Sequence, residues 1–291
     1  MTQKAHVSTP GEDNEHVKLP ISEVERRLVN ERLRKRVLLL DKAEKDLELR
    51  AELLELCKRD PVFWINNFCW TYNPNYPSSC QDIPFELFPF QTFFVEEVVK
   101  CIRQKEDFAI EKSRDMGASW LLLMIMQWFW LFEPSVSFLL GSKKEYDVDT
   151  GGIDPQTLFG KLRYNLFRLP LWMRPAEFRE EKTYSVYNKQ MTMHNKEMNS
   201  FFKGQTGTKD FGRSGRYTAA LFDELAYWDE GREGWNGCQQ TTRCRMAIST
   251  PDGDGNMFYD AVHWPGRVVI QHPDAEKIAI SKGLKAEGVP Y

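Results

Sequence analysis

The sequence predicts an α/β fold, a largely parallel sheet covered by helices on both faces and entered through an N-terminal helical segment. Two observations predict it. From residue 107 onward, short apolar runs of strand length alternate with longer runs of helical period, the pattern that builds parallel sheets. Before that, residues 22–58 are rich in Leu, Glu, Lys and Arg, with Val24, Leu28, Leu33, Val37, Leu40, Leu47 and Leu54 at helical spacing.

Taken in order, residues 1–20 are polar, with Pro10 and Gly11, and read as a disordered tail rather than a secretory signal. Ser22 and Glu25 form a capping box, and the helical run after it is one long helix or two broken near Asp41. Asp60-Pro61 restarts a helix through Trp70. A loop over Thr71–Pro84 follows, then an amphipathic helix over Phe90–Arg103 with Phe93, Phe94, Val98 and Ile102 as its buried stripe. Strands are expected at Asp107–Lys112, Val136–Gly141, Gln190–His194, Phe201–Gly204, Tyr217–Phe222, Met246–Ser249 and Val268–Gln271, with helices at Gly117–Phe132 and Pro155–Leu169. The apolar run Trp120–Phe132 is too short for a membrane span, which needs about 20 residues, so a buried helix is expected and no membrane contact.

Bulk properties leave the function open. At 42% hydrophobic and 28% charged residues, the 291-residue chain reads as an ordinary globular protein. A net charge of −3 does not point to nucleic acid, although a motor can confine its basic groups to one groove. The six cysteines show no CxxC pair, which argues for reduced thiols over a zinc site.

Four segments carry chemistry. Lys112-Ser113-Arg114-Asp115-Met116-Gly117-Ala118-Ser119 follows a strand and opens a helix, as a phosphate-binding loop must. Gly117 would let the backbone approach phosphate, and Ser119 stands where a hydroxyl binds Mg²⁺. The common pattern has glycine where Lys112 stands and lysine where Ala118 stands. Lys112 or Arg114 would then supply the missing cation, whose attraction is worth on the order of 4 kcal/mol at 4 Å. The strand ending in Asp223-Glu224 would deliver a Mg²⁺-holding carboxylate, Asp223, and a water-polarising one, Glu224. The strand ending in Ser249-Thr250 should lie beside the acidic one and sense the terminal phosphate. Gln91, in Phe88-Pro89-Phe90-Gln91, offers both edges of an amide to adenine. Gln, phosphate loop, acidic pair and Ser/Thr strand occur in the order of an ASCE-type P-loop NTPase, which uses ATP and Mg²⁺.

With those residues in place, the chain resembles the ATPase half of phage terminase large subunits over about residues 60–265. That family frequently carries a Lys-Ser-Arg-x-x-Gly-x-Ser phosphate loop, which residues 112–119 match. Ser249-Thr250-Pro251 and the later Asn256-Met257-Phe258-Tyr259 resemble its coupling segment, and Phe88–Gln91 its adenine motif. The resemblance implies an ATP-driven motor acting as a homo-oligomeric ring in the host cytoplasm at the procapsid portal. Double-stranded DNA, the portal protein and a small terminase subunit would be its partners. It also implies an arginine finger, for which Arg213 and Arg216 in the Gly-rich segment before the acidic strand are candidates beside Arg114. The family usually continues into a nuclease of the RNase H type. Only about 40 residues follow Thr250, too few for such a domain, so no nuclease is expected here. The expected organisation is a tail over 1–20, a helical segment over 21–70, the ATPase over 71–265, and a linker or subdomain start over 266–291. The alternatives are a nucleotide-binding scaffold without hydrolysis and another P-loop nucleic-acid translocase.

Overall fold

The computed structural model describes residues 23–74, 76–78, 81–112, 117–180, 187–263 and 268–269. The expected tail over 1–20, the capping box at Ser22, the stretch from 270 onward, and Ser113, Arg114, Asp115 and Met116 of the phosphate loop lie outside them.

The N-terminal helical run is two helices, α1 (Glu23–Lys45) and α2 (Leu47–Arg59). The break falls at Asp46 rather than near Asp41. Asp46 adopts an extended backbone, and its Oδ1 accepts from the Glu48 and Leu49 amides at 3.0 Å each, which caps α2. Asp60 repeats the device at α3 (Pro61–Phe68), accepting from Val62 and Phe63. The segment expected as a loop contains a small antiparallel hairpin, β1 (Trp70–Tyr72) with β2 (Asp82–Pro84). Arg36 of α1 bolts this hairpin down. It is 4% exposed, donates to the carbonyls of Cys69, of Asn66 at 2.7 Å and of Phe85 at 3.3 Å, and stacks over Trp70.

After α4 (Pro89–Gln104) come β3 (Phe108–Glu111), α5 (Ala118–Phe132), β4 (Ser137–Ser142), α6 (Glu145–Val148) and α7 (Leu158–Leu166). The next elements are β5 (Asn188–Lys189), β6 (Thr192–Asn195), β7 (Ser200–Thr206) and β8 (Ala219–Asp223). Then follow α8 (Gly231–Cys238), β9 (Arg245–Ser249), α9 (Met257–His263) and β10 (Val268–Val269). The eight-stranded sheet runs β10-β3-β9-β8-β4-β7-β6-β5. All pairings from β10 to β7 are parallel, and β6 and β5 add on antiparallel.

The pleat sorts side chains to two faces. Phe108, Ile110, Phe138, Leu140, Ala219, Leu221, Met246 and Ile248 join the core under α5. Ala109, Leu139, Ala220, Phe222 and Ala247 join the opposite core with Phe211, Trp228, Trp235 and Phe258. Helix α5 is buried at every residue from Leu121 to Leu131, since α3, α4 and α7 cover its outer side. Its polar atoms are all engaged there: Trp128 Nε1 donates to Cys57 O at 2.7 Å, Trp130 Nε1 to Ser200 O at 3.0 Å and Gln127 Nε2 to Leu162 O at 2.9 Å. Residues of α2 and α3, including Leu53, Cys57, Trp64, Ile65 and Phe68, belong to this same core.

The antiparallel addition is tied to α7 by a buried ion pair. Arg163, fully buried, grips Asp149 through two oxygens at 2.5 and 2.8 Å and also holds Asn188 Oδ1 at 2.7 Å. Burial pushes the Asp149 carboxyl up, but the guanidinium and the Met191 and Gly151 amides outweigh it and hold it below its ordinary value. Removing one partner strands the other, so Arg163→Met should cost about 3–5 kcal/mol of stability. Urea denaturation checks this, and a loss below about 1 kcal/mol, the scale of an exposed pair, would contradict it.

Candidate functional site

Five of the residues singled out in the sequence converge at the carboxyl edge of the sheet. Strand β9 lies between β3 and β8, so the ends of all three meet. Lys112 directly follows β3, and its amide donates to Ser249 O at 3.1 Å. Asp223 ends β8, and Glu224 turns out of it. Glu224 has a left-handed backbone, φ 54 and ψ 42, which costs a non-glycine residue on the order of 1–2 kcal/mol. The turn is held by Trp228, whose indole donates to Asp223 O at 2.9 Å, and by Ala226, whose amide donates to Ser249 Oγ at 3.3 Å.

That turn aims the Glu224 carboxylate at two groups. Lys112 Nζ lies 2.6 Å from Oε1, and Ser249 Oγ donates to Oε2 at 3.2 Å. Asp223 has a different partner: Ser119 Oγ, in the first turn of α5, donates to its Oδ1 at 3.3 Å. Gly117 before that helix has φ 69, a conformation that favours glycine, and it packs near Phe85 and Gln91. Thr250 Oγ1 and the Tyr227 hydroxyl lie 3.0 Å apart, which extends the network past Ser249. Tyr227 and Trp228 carry no motif and were not legible as site residues; their only sequence signal is that they follow the acids.

Burial pushes the Asp223 carboxyl up to about 6, with Glu224 adding to the rise and Lys112 and Lys161 opposing it. A hydroxyl and a carboxylate side by side are hard oxygen donors, suited to Mg²⁺ completed by water and phosphate oxygens. Among the described residues no three His, Cys, Asp or Glu side chains gather to hold a metal alone.

The raised value has a consequence for stability. A folded-state pKa above the unfolded one favours folding below the unfolded pKa, and this is lost as pH rises through about 6. Asp223→Asn should therefore raise the melting temperature at pH 8 without Mg²⁺, by a gain on the order of 1–2 kcal/mol after allowing for solvent access. The gain should vanish near pH 4. A melting profile in which the variant is no more stable at pH 8 would contradict the buried-charge account.

The remaining expected residues are placed less centrally. Gln91 is buried in the first turn of α4, where its Oε1 accepts the Phe88 amide at 3.0 Å. Phe88 beside it is 54% exposed and stacks with Phe90. Arg213 and Arg216 are exposed; Arg213 pairs with Asp210 at 3.2 Å and Arg216 donates to Gly215 O. Neither contacts the acidic pair.

No family model and no curated protein matches this chain. Among solved structures, the crystal structure of the HK97 bacteriophage large terminase is similar, with a TM-score of 0.49 and 14% identity over 74% of this chain. The match covers 43% of that chain, so this protein spans less than half its length. A likeness this distant carries no inference about activity.

Proposed function

We propose that this chain is an ATP-hydrolysing motor of the ASCE P-loop type, working in the packaging of double-stranded DNA. The observation that supports it best is the position of β9. The strand bearing Ser249 is inserted between the phosphate-loop strand and the acidic strand, and it hydrogen-bonds the Glu224 carboxylate. The order β10, β3, β9, β8 and β4 is compatible with an additional-strand ATPase, which supports this reading. Elsewhere in such folds a ligand sits at the carboxyl ends of the strands, where this cluster lies.

In this reading the triphosphate lies along the 112–119 loop, with Lys112 as its described cation and Ser119 and Asp223 oriented toward Mg²⁺. Bound Mg²⁺ would neutralise charge developing on the phosphates. Glu224 orients and polarises the attacking water, and Ser249 fixes the carboxylate that does so. Phe88 and Gln91 supply an aromatic face and an amide edge for adenine. Arg213 and Arg216, exposed and paired only locally, suit a finger offered to a neighbouring subunit better than one acting within the chain. The DNA substrate, the ring, the portal and the small subunit rest on the sequence resemblance alone.

Steady-state hydrolysis by the purified chain, followed over a range of protein concentrations with and without duplex DNA, tests this. Specific activity that rises with concentration and with DNA is expected. Nucleotide binding with no turnover under any of these conditions would favour the scaffold reading, for which the missing lysine at Ala118 is the argument.

A further inference from the structure

One indole grips the acidic turn from the flank opposite Ser249. Leu225–Tyr227 form a 3-10 turn after Glu224, and Trp228 closes it, its amide donating to Leu225 O at 3.2 Å. The Trp228 side chain, 5% exposed, reaches back along the turn so that Nε1 donates to Asp223 O at 2.9 Å.

The ring fills a socket at the ends of the next two strands. β4 neighbours β8 on the side away from β9, and β7 lies beyond β4. The Gly207 amide, directly after β7, donates to Ser142 O at the end of β4 at 2.8 Å. A Cβ on Gly207 would lie 2.6 Å from Trp228 Cδ2, and one on Gly141 in β4 would lie 2.8 Å from Cη2. Both positions must lack a side chain for the indole to enter. Phe211 meets the ring edge to face, with centroids 5.1 Å apart and planes at 83°, and Phe222 of β8 packs at 5.3 Å.

A core tryptophan needs only some carbonyl for its N–H. Here the acceptor is the carbonyl of the Asp223–Glu224 peptide. A planar peptide held at its oxygen is held at the Glu224 nitrogen as well. Glu224 is the residue with the left-handed backbone, φ 54. In a residue other than glycine that conformation persists only where the surroundings over-determine it. The Ala226 amide on Ser249 Oγ anchors the turn toward β9, and Trp228 anchors it toward β4 and β7. Between these anchors the Glu224 carboxylate reaches Lys112 at 2.6 Å and Ser249 Oγ at 3.2 Å.

We propose that Trp228 is a positioning residue for Glu224, fixing the peptide from which the water-polarising carboxylate springs. The inference rests on the hydrolytic reading above. Because Gly207 and Phe211 wall its socket, Trp228 also makes the placement of that acid depend on how closely the segment after β7 approaches.

Single-turnover ATP hydrolysis by the full chain, alongside Mg-ATPγS titration, tests this. The variants are Trp228→Phe, Gly207→Ala, Glu224→Gln, and Trp228→Phe combined with Glu224→Gln. Trp228→Phe keeps a ring in the socket but loses the N–H, and turnover should fall about 10–100-fold, the scale for a misplacement of about 1 Å. ATPγS affinity should change by no more than about threefold, which also shows that the variant is folded. Glu224→Gln already lacks the charge being placed, so adding Trp228→Phe to it should cost no more than about threefold further. Gly207→Ala keeps the N–H but crowds the ring, and should lower turnover about tenfold. Equal losses from Trp228→Phe with and without Glu224→Gln would make Trp228 an ordinary packing residue and overturn the proposal. Turnover unchanged in Trp228→Phe would overturn it too, and unchanged turnover in Gly207→Ala would overturn the dependence on the segment after β7. Wild type that hydrolyses no ATP would overturn the hydrolytic reading itself, and the role of Trp228 with it.

Discussion

Glu224→Gln is expected to lower ATP turnover by about 10²–10⁴-fold, the range for losing a positioned general base, while Mg-ATP affinity stays level or rises. The amide keeps an oxygen for the Ser249 hydroxyl, so the turn at 224 need not move. What disappears is the negative charge that polarises water and that pairs with Lys112 at 2.6 Å. Releasing that ammonium leaves it free for phosphate, which is why affinity should not fall. Quench-flow turnover alongside nucleotide titration separates the two effects. Turnover unchanged in the variant would remove Glu224 from the chemistry. Turnover and affinity lost together would make it a structural member of the Lys112–Ser249 cluster instead.

Lys112→Ala should produce the second large effect, a loss of triphosphate affinity. A single cation about 4 Å from a phosphate charge is worth on the order of 4 kcal/mol at an effective dielectric near 20. Part of that is already spent on the Glu224 pair in the free protein, so a loss of about 100-fold, near 2.7 kcal/mol, is expected. Calorimetric titration with ATPγS measures it directly. If affinity holds while turnover collapses, Lys112 acts only by positioning Glu224, and the phosphate cation must be sought elsewhere in the site.

Much of this arrangement was legible in the sequence because it follows from strand ends. Buried parallel strands such as Ala219–Asp223 and Arg245–Ser249 are apolar throughout, so the polar residues that close them stand out. Strand β9 was expected beside the acidic strand, and it is; its second neighbour, β3, was not predicted, yet that pairing is what brings Lys112 to Glu224. The hairpin at Trp70–Pro84 escaped notice because its strands are three residues each and are stabilised by Arg36 from a distant helix. Helix α8 was not among the expected elements, since Gly231, Gly234 and Gly237 fall within its eight residues and weaken the helical signal. It forms because Trp235 and Cys238 pack onto the sheet, and because its turns press so close to the 208–213 segment that Gly234 has no room for a Cβ against Thr208 O.

The central claim is that the carboxyl edge around Lys112, Ser119 and Asp223 binds a magnesium nucleotide, and thermal unfolding of the full chain with ATPγS tests it most directly. Ligand at about 100 times its dissociation constant should add roughly 2.7 kcal/mol, a rise of a few degrees in melting temperature for a chain of this size. The account predicts a saturable rise that needs Mg²⁺ and is largely lost in Ser119→Ala. A melting temperature that stays fixed at every ATPγS concentration, with and without Mg²⁺, would contradict it.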